Sequence, residues 1–110
     1  MEFESQKQGN STVIKVTGRM DAVTAPEFEE KSGEIMEAGN TDFIVDFGSL
    51  EYISSAGLRS VLSVAKKLKA KQGGIRFCNL DGMVQEVFSV SGFSSMFPIF
   101  DTLEDALAEG

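Results

Sequence analysis

Histidine and tryptophan are absent from this 110-residue chain, cysteine and tyrosine occur once each, and proline twice. Without histidine, a Ser-His-Asp or Cys-His catalytic arrangement is excluded, and so are histidine-based zinc sites. The lone Cys78 can close no disulfide within the chain and build no thiolate cluster. Cations are scarce too, with 10 Lys and Arg against 17 Asp and Glu and a formal net charge of -7. That balance repels a phosphate backbone or an anionic bilayer, so neither nucleic acid nor membrane is an expected partner. Apolar runs such as Phe43 to Val45 fall far short of the ~20 residues that span a bilayer. Met1 to Asn10 has neither the basic nor the apolar region of a signal peptide, and a cytoplasmic location is expected.

What is present is an ordinary globular composition, 42% hydrophobic and 25% charged, in a length that suits one core, so a single domain over residues 1–110 is expected. Glu2 to Thr17 reads as a hairpin turning at Gly9 and Asn10, with Val13, Ile14 and Val16 in its second strand. Thr24 and Glu27 have the spacing of a capping box, with Pro26 in the first turn. They open a helix carrying Phe28, Ile35 and Met36 inward and stopping at Gly39 and Asn40. Phe43 to Val45, closed by Asp46, predicts a strand covered on both faces, followed by a connector from Gly48 to Ile53.

The next helix sets Leu58, Val61, Leu62, Ala65 and Leu68 on one face. Lys66, Lys67, Lys69 and Lys71 near its end suit the negative pole of the helix dipole, which accounts for them without a docking patch. Gly73 and Gly74 break the helix, and Ile75 to Cys78 forms a strand in which Cys78 is a small buried hydrophobe. Asp81 opens a short helix with Met83, Val84, Val87 and Phe88 inward, ended by Gly92. Pro98 makes Met96 to Phe100 an edge strand, and Asp101 with Glu104 caps a last helix carrying Leu103, Ala106 and Leu107. The core is the expected home for most of Phe93, Met96 and Phe97, with a partner or dimer surface the alternative. The order predicts an α/β fold, a mixed β-sheet with four helices packed on it and right-handed crossovers.

Catalytic signatures are missing. Ser63 and Lys66 fall in an S-x-x-K spacing without the companion motifs of serine-lysine hydrolases. Neither a P-loop nor G-x-G-x-x-G occurs, and the scattered acids, Asp21, Asp46 and Glu51 among them, read as an acidic surface. No cofactor and no enzymatic activity are expected. The informative stretch is Asp46 to Arg59, D-F-G-S-L-E-Y-I-S-S-A-G-L-R. Either Ser54 or Ser55 can cap the helix that follows. Gly57 costs ~1 kcal/mol against alanine in a helix interior, a cost that close approach by a neighbouring segment or another protein would offset.

The run from Asp46 through Ile53, Ser54, Ser55, Ala56, Gly57 and Leu58 resembles the signature of the STAS family, in particular its bacterial anti-sigma factor antagonists. G-R-M-D at Gly18 to Asp21 is similar to that family's G-x-x-D turn. Val90 to Phe100, followed by Leu103 to Leu107, resembles its C-terminal pattern. The resemblance implies a STAS-like fold and partner switching: the unmodified antagonist binds an anti-sigma factor that is also a serine kinase and so frees a sigma factor. The kinase then phosphorylates the antagonist, and a serine phosphatase of the PP2C type reverses this. It places the phosphate on Ser55; Ser54 stands where many relatives have Asp, which leaves a second hydroxyl beside Ser55 as the alternative acceptor. Ala56 likewise stands where many have Ser or Thr. The implied partner surface is Asp21, Asp46, Ser54, Ser55, Ala56, Gly57, Leu58 and Arg59. The alternative is a constitutive STAS scaffold or transport accessory subunit without an exchangeable phosphate.

Overall fold

A computed structural model describes residues 1–109. The hairpin forms as expected: β1 (Glu2–Gln8) pairs antiparallel with β2 (Ser11–Met20) across the two-residue turn at Gly9 and Asn10. After α1 (Ala25–Glu37), β3 (Asp42–Ile53) lies parallel to β2. Then follow α2 (Ser55–Ala70), β4 (Gly74–Cys78), α3 (Gly82–Val90), the single turn α4 (Phe93–Met96), β5 (Ile99–Phe100) and α5 (Leu103–Ala108). The sheet runs β1-β2-β3-β4-β5 in space, all but β1 parallel. A mixed sheet with helices packed on it is therefore correct. Among the described residues the helices number five rather than four, because the segment after Gly92 coils once before reaching the edge strand.

The sheet has two unequal cores. Ile14, Val16, Phe43, Val45, Phe47 and Phe77 point to one face, where Phe28 and Met36 of α1, Val61, Val64 and Leu68 of α2, and Val84 and Phe88 of α3 cover them. Five phenylalanines (Phe47, Phe77, Phe88, Phe93, Phe97) continue this layer under α3 and α4, with neighbouring ring centroids 5.1 to 6.0 Å apart. Most of these pairs meet edge to face, an arrangement worth ~0.5–1.5 kcal/mol per pair beyond burial. The opposite face holds only Val13, Ile44, Cys78 and Ala106, closed by Phe100, Leu103 and Leu107. Here α5 is secured by Arg76, whose guanidinium donates to the Ala106 carbonyl at 2.6 Å while pairing with Asp42 at 3.1 Å. Ile44 facing one core and Phe43 and Val45 the other is the two-sided burial expected of this strand.

The departures have identifiable causes. Gly48 to Ile53 is strand rather than connector, because β3 continues along Thr17 to Met20 after losing β4 at the Asp46–Cys78 pair. Register shifts near Lys15 and Gly18 disrupt the two-residue alternation, leaving Phe47, Leu50 and Ile53 buried at intervals of three. Helix α2 closes with Gln72, not glycine, in the left-handed region (φ 63), and the Gly73 N–H returns to the Leu68 carbonyl at 2.7 Å. In α3 only Val84 and Phe88 are fully buried; Met83 faces outward. The last helix is capped one residue later than expected, Thr102 Oγ1 accepting from the Asp105 N–H at 3.1 Å. Phe93 is in the core and Phe97 half-buried, while Met96 is 57% exposed.

Gly57 lets α2 lie directly against the strand ends: a Cβ there would stand 2.7 Å from Ile53 Cγ1 and 3.0 Å from the Met20 carbonyl oxygen. The neighbouring segment thus supplies the close approach expected at this glycine. Gly57→Ala is expected to destabilise the protein by about 1–3 kcal/mol, the usual range for overpacking, with a denaturant midpoint as the readout.

Burial, and secondarily the charge of Asp46, push the Cys78 thiol up to about 12. A thiol reagent at neutral pH is expected to leave Cys78 unmodified in the folded protein and to modify it fully in denaturant; rapid labelling of the native protein would contradict this placement. The folded thiol keeps its proton to higher pH than the unfolded one. Its contribution to stability is therefore intact below the ordinary value of 9.0 and declines as pH rises from there towards 12.

Candidate functional site

The carboxyl ends of β2 and β3 meet at the Met20–Ile53 pair, and the Ser54 N–H donates to the Met20 carbonyl at 2.8 Å. Each strand then turns into a helix on the same face, which sets the N-termini of α1 and α2 side by side above this edge. Ser54 has extended backbone and caps α2, its hydroxyl accepting from the Gly57 N–H at 3.2 Å and its carbonyl from the Leu58 N–H at 2.9 Å. Ser55, the first helical residue, is exposed, and its hydroxyl has no hydrogen-bond partner among the described residues. The N–H groups of Ser55 and Ala56 precede the first intrahelical bond, so the positive pole of α2 is presented at Ser55.

Beside it, the turn into α1 is organised by Asp21 rather than by the expected capping box. Asp21 Oδ1 accepts from the N–H groups of Val23 at 3.0 Å and Thr24 at 3.2 Å. Thr24 adopts helical backbone at the cap, and its hydroxyl donates to the Arg19 carbonyl at 2.8 Å. That leaves Glu27 to pair with Lys31. The Thr24 and Val23 N–H bonds, with smaller help from the Thr24 hydroxyl and Arg19, hold the Asp21 carboxyl below the ordinary aspartate value. Arg19 in turn lies over the Tyr52 ring, 4.2 Å from its centroid. Between the helices, the Ser60 hydroxyl sits 2.9 Å from Glu29 Oε2 and joins α2 to α1. A shallow groove along this seam is lined by Ala22, Pro26, Ala56 and Arg59.

On the other flank of α2, Leu58 with Met83, Val87 and Val90 of α3 lines an apolar slot, and Val90 is 83% exposed. Assigning Met83 to the core hid this slot. The signal was present, since Met83, Val87 and Val90 repeat at four and seven residues, a second apolar stripe beside the one carrying Val84 and Phe88.

The eight residues implicated by the sequence thus divide. Asp21, Ser54, Ser55, Ala56, Leu58 and Arg59 gather around the start of α2. Gly57 is buried beneath it. Asp46 sits on the α5 face of the sheet, opposite Cys78, and its carboxylate accepts from the Gly48 N–H at 2.8 Å where β4 leaves β3. No cluster of three or more His, Cys, Asp or Glu suited to a metal exists among the described residues. No base is bonded to the Ser55 hydroxyl among the described residues.

A family model described as the STAS domain matches residues 2–106. BtrV of Bordetella bronchiseptica, a candidate anti-sigma factor antagonist, is 37% identical over 108 residues, which cover 98% of this chain and 93% of BtrV. An anti-sigma factor antagonist from Mycobacterium paratuberculosis superposes with a TM-score of 0.89 at 25% identity, covering 98% of this chain and 92% of that one. SpoIIAA, an anti-sigma factor antagonist and Bacillus cell fate determinant, shares the fold at 24% identity in its phosphorylated form, with a TM-score of 0.77 and 98% of each chain covered. The same protein in its unphosphorylated form gives a TM-score of 0.74. With a family match along almost its whole length and the strand-to-helix turns that carry the motif in place, the chain belongs to the STAS domain family.

Proposed function

We propose that this protein is an anti-sigma factor antagonist working by partner switching. In its unmodified form it binds an anti-sigma factor that is also a serine kinase, releasing a sigma factor; phosphorylation of Ser55 ends the binding, and a PP2C-type serine phosphatase restores it. The action is assigned to the cytoplasm, and the chain itself performs no catalysis. The observation that carries this reading is the contrast between neighbouring hydroxyls: that of Ser54 is held by the Gly57 N–H, whereas that of Ser55 is exposed and unbonded. Ser55 therefore takes precedence over Ser54 as the modified residue. The kinship with BtrV and the existence of SpoIIAA in both phosphorylated and unphosphorylated forms support the same reading.

The physics of the switch follows from position. A phosphate adds roughly -1.5 to -2 charge at a helix N-terminus, where the dipole and the unpaired N–H groups favour it, so the fold tolerates modification. The partner surface responds differently. Ala56 and Leu58 allow close packing around a small neutral serine, and a bulky anion there, next to the already ionised Asp21, repels an acidic partner group and blocks contact. Arg59 and Ser54 complete the contact surface, while Gly57 acts on it from beneath by seating α2, and Asp46, on the α5 face of the sheet, stands apart from it.

The test is to incubate the purified protein with ATP and each serine-kinase anti-sigma factor of its source organism, map any phosphate by mass spectrometry, and measure binding before and after. Phosphate is expected on Ser55, absent from Ser55→Ala, with at least roughly tenfold weaker binding once it is installed. Ser55→Asp should weaken binding in the same direction while folding stability changes by no more than about 0.5 kcal/mol. If no candidate kinase bound or modified the protein, the constitutive scaffold would be the better account.

A further inference from the structure

The charge of this chain is strongly segregated. From Tyr52 to Leu80 there is no acidic residue, yet this stretch contains six of the ten cations: Arg59, Lys66, Lys67, Lys69, Lys71 and Arg76. All 17 acids lie outside it. Lys66, Lys67, Lys69 and Lys71 are exposed at the C-terminal end of α2, and none forms an ion pair among the described residues. The helix dipole favours cations in the last turn, but it does not extend to Lys66, nor does it explain the lack of any acid across two elements. The last carbonyls of α2 are already served by backbone, from the N–H groups of Lys71, Gln72 and Gly73, so the lysines are not needed as caps.

Next to this basic pole is a largely apolar groove of about 500 Å³, walled by Ala65 and Lys69 of α2 and by Met96, Phe97 and Pro98, with Gly73 to Arg76 between them and its one carboxylate, Asp42, paired with Arg76. The wall opposite α2, Met96, Phe97 and Pro98, is uncharged. Met96, 57% exposed, stands at its rim.

We infer that this groove is a second protein-docking surface, taking an acidic segment with an apolar anchor: the anchor fills the space against Met96 and Phe97, and flanking carboxylates meet Lys69 in the wall and Lys66 beside it on the exposed surface of α2. A concave apolar floor with cations on one wall is complementary to such a segment. A duplex or an anionic bilayer would instead meet the field of the whole molecule, whose net charge is -7. The groove's α2 residues, Ala65 and Lys69, lie about 15 and 21 Å along the helix from Ser55, at 1.5 Å per residue. An occupant here leaves the Ser55 surface clear, so both can be engaged at once. The inference does not depend on what binds at Ser55.

Titration of the isotopically labelled protein with a short synthetic peptide, a central Phe-Leu pair flanked by Asp and Glu, tests this by amide chemical shifts. Saturable shifts are expected at Ala65, Lys69, Met96 and Phe97 and not at Ser55. Affinity should fall with added salt and by roughly tenfold in the Lys66→Gln/Lys69→Gln variant, two rim ion pairs' worth. Replacing the peptide's Phe-Leu by Ala-Ala should weaken it similarly. Three results would overturn the inference: no shifts at the groove, an Ala-Ala peptide binding equally well, or groove shifts produced by phosphatidylglycerol vesicles or duplex DNA but not by the peptide.

Discussion

The arrangement around Ser55 rests on one hydrogen bond and the contact beneath it. The Ser54 N–H reaches the Met20 carbonyl at 2.8 Å, and that same carbonyl oxygen would lie 3.0 Å from any Cβ at position 57. The bond ends the parallel pairing of β2 and β3, and the contact fixes how low α2 can sit on the pair. Once both are satisfied, Ser54 is extended, its hydroxyl falls to the Gly57 N–H, and Ser55 is left on the outside. A glycine in the first turn of a helix, unfavourable by local propensity, is required by the approach of two strand ends.

Parallel pairing also explains why Asp21 is so close to the start of α2. Two adjacent parallel strands deliver both following turns to the same sheet edge, so residues more than thirty positions apart become neighbours without any contact designed between them. The Asp21 carboxylate is committed to the backbone of its own turn, which orders the approach to α1 and keeps the group ionised. The serine side of the edge is neutral and sterically small, and the aspartate side carries fixed negative charge.

Much of this was legible in the sequence because the elements carry strong periodic or compositional signals. The two-sided strand at Phe43 to Val45, the apolar face of α2 and the hairpin at Gly9 and Asn10 were plain for that reason. What escaped notice lay where tertiary pairing overrides local pattern. The far half of β3 does not alternate, because register shifts against β2 displace its buried residues. Thr24 and Glu27 have capping-box spacing, yet Asp21 reaches the same turn first. Near the site, local pattern left open which serine caps α2, because that depends on where the strand ends and the helix begins, and Ser54 takes the role with its extended backbone. Met83 illustrates a different failure: apolar residues on two faces of a nine-residue helix cannot be sorted into core and surface without knowing which neighbour covers which stripe.

The small second core behind the sheet has its own consequence. Six-residue α5 is far too short to persist as an isolated helix, so its order comes from Leu103, Ala106 and Leu107 and from the Arg76 grip on the Ala106 carbonyl. The larger core on the opposite face shares no buried side chain with it. On that packing α5 is the element expected to detach first, as a sub-global unit, while the main layer stays packed. Amide protons of α5 would then exchange ahead of those in β2 and β3.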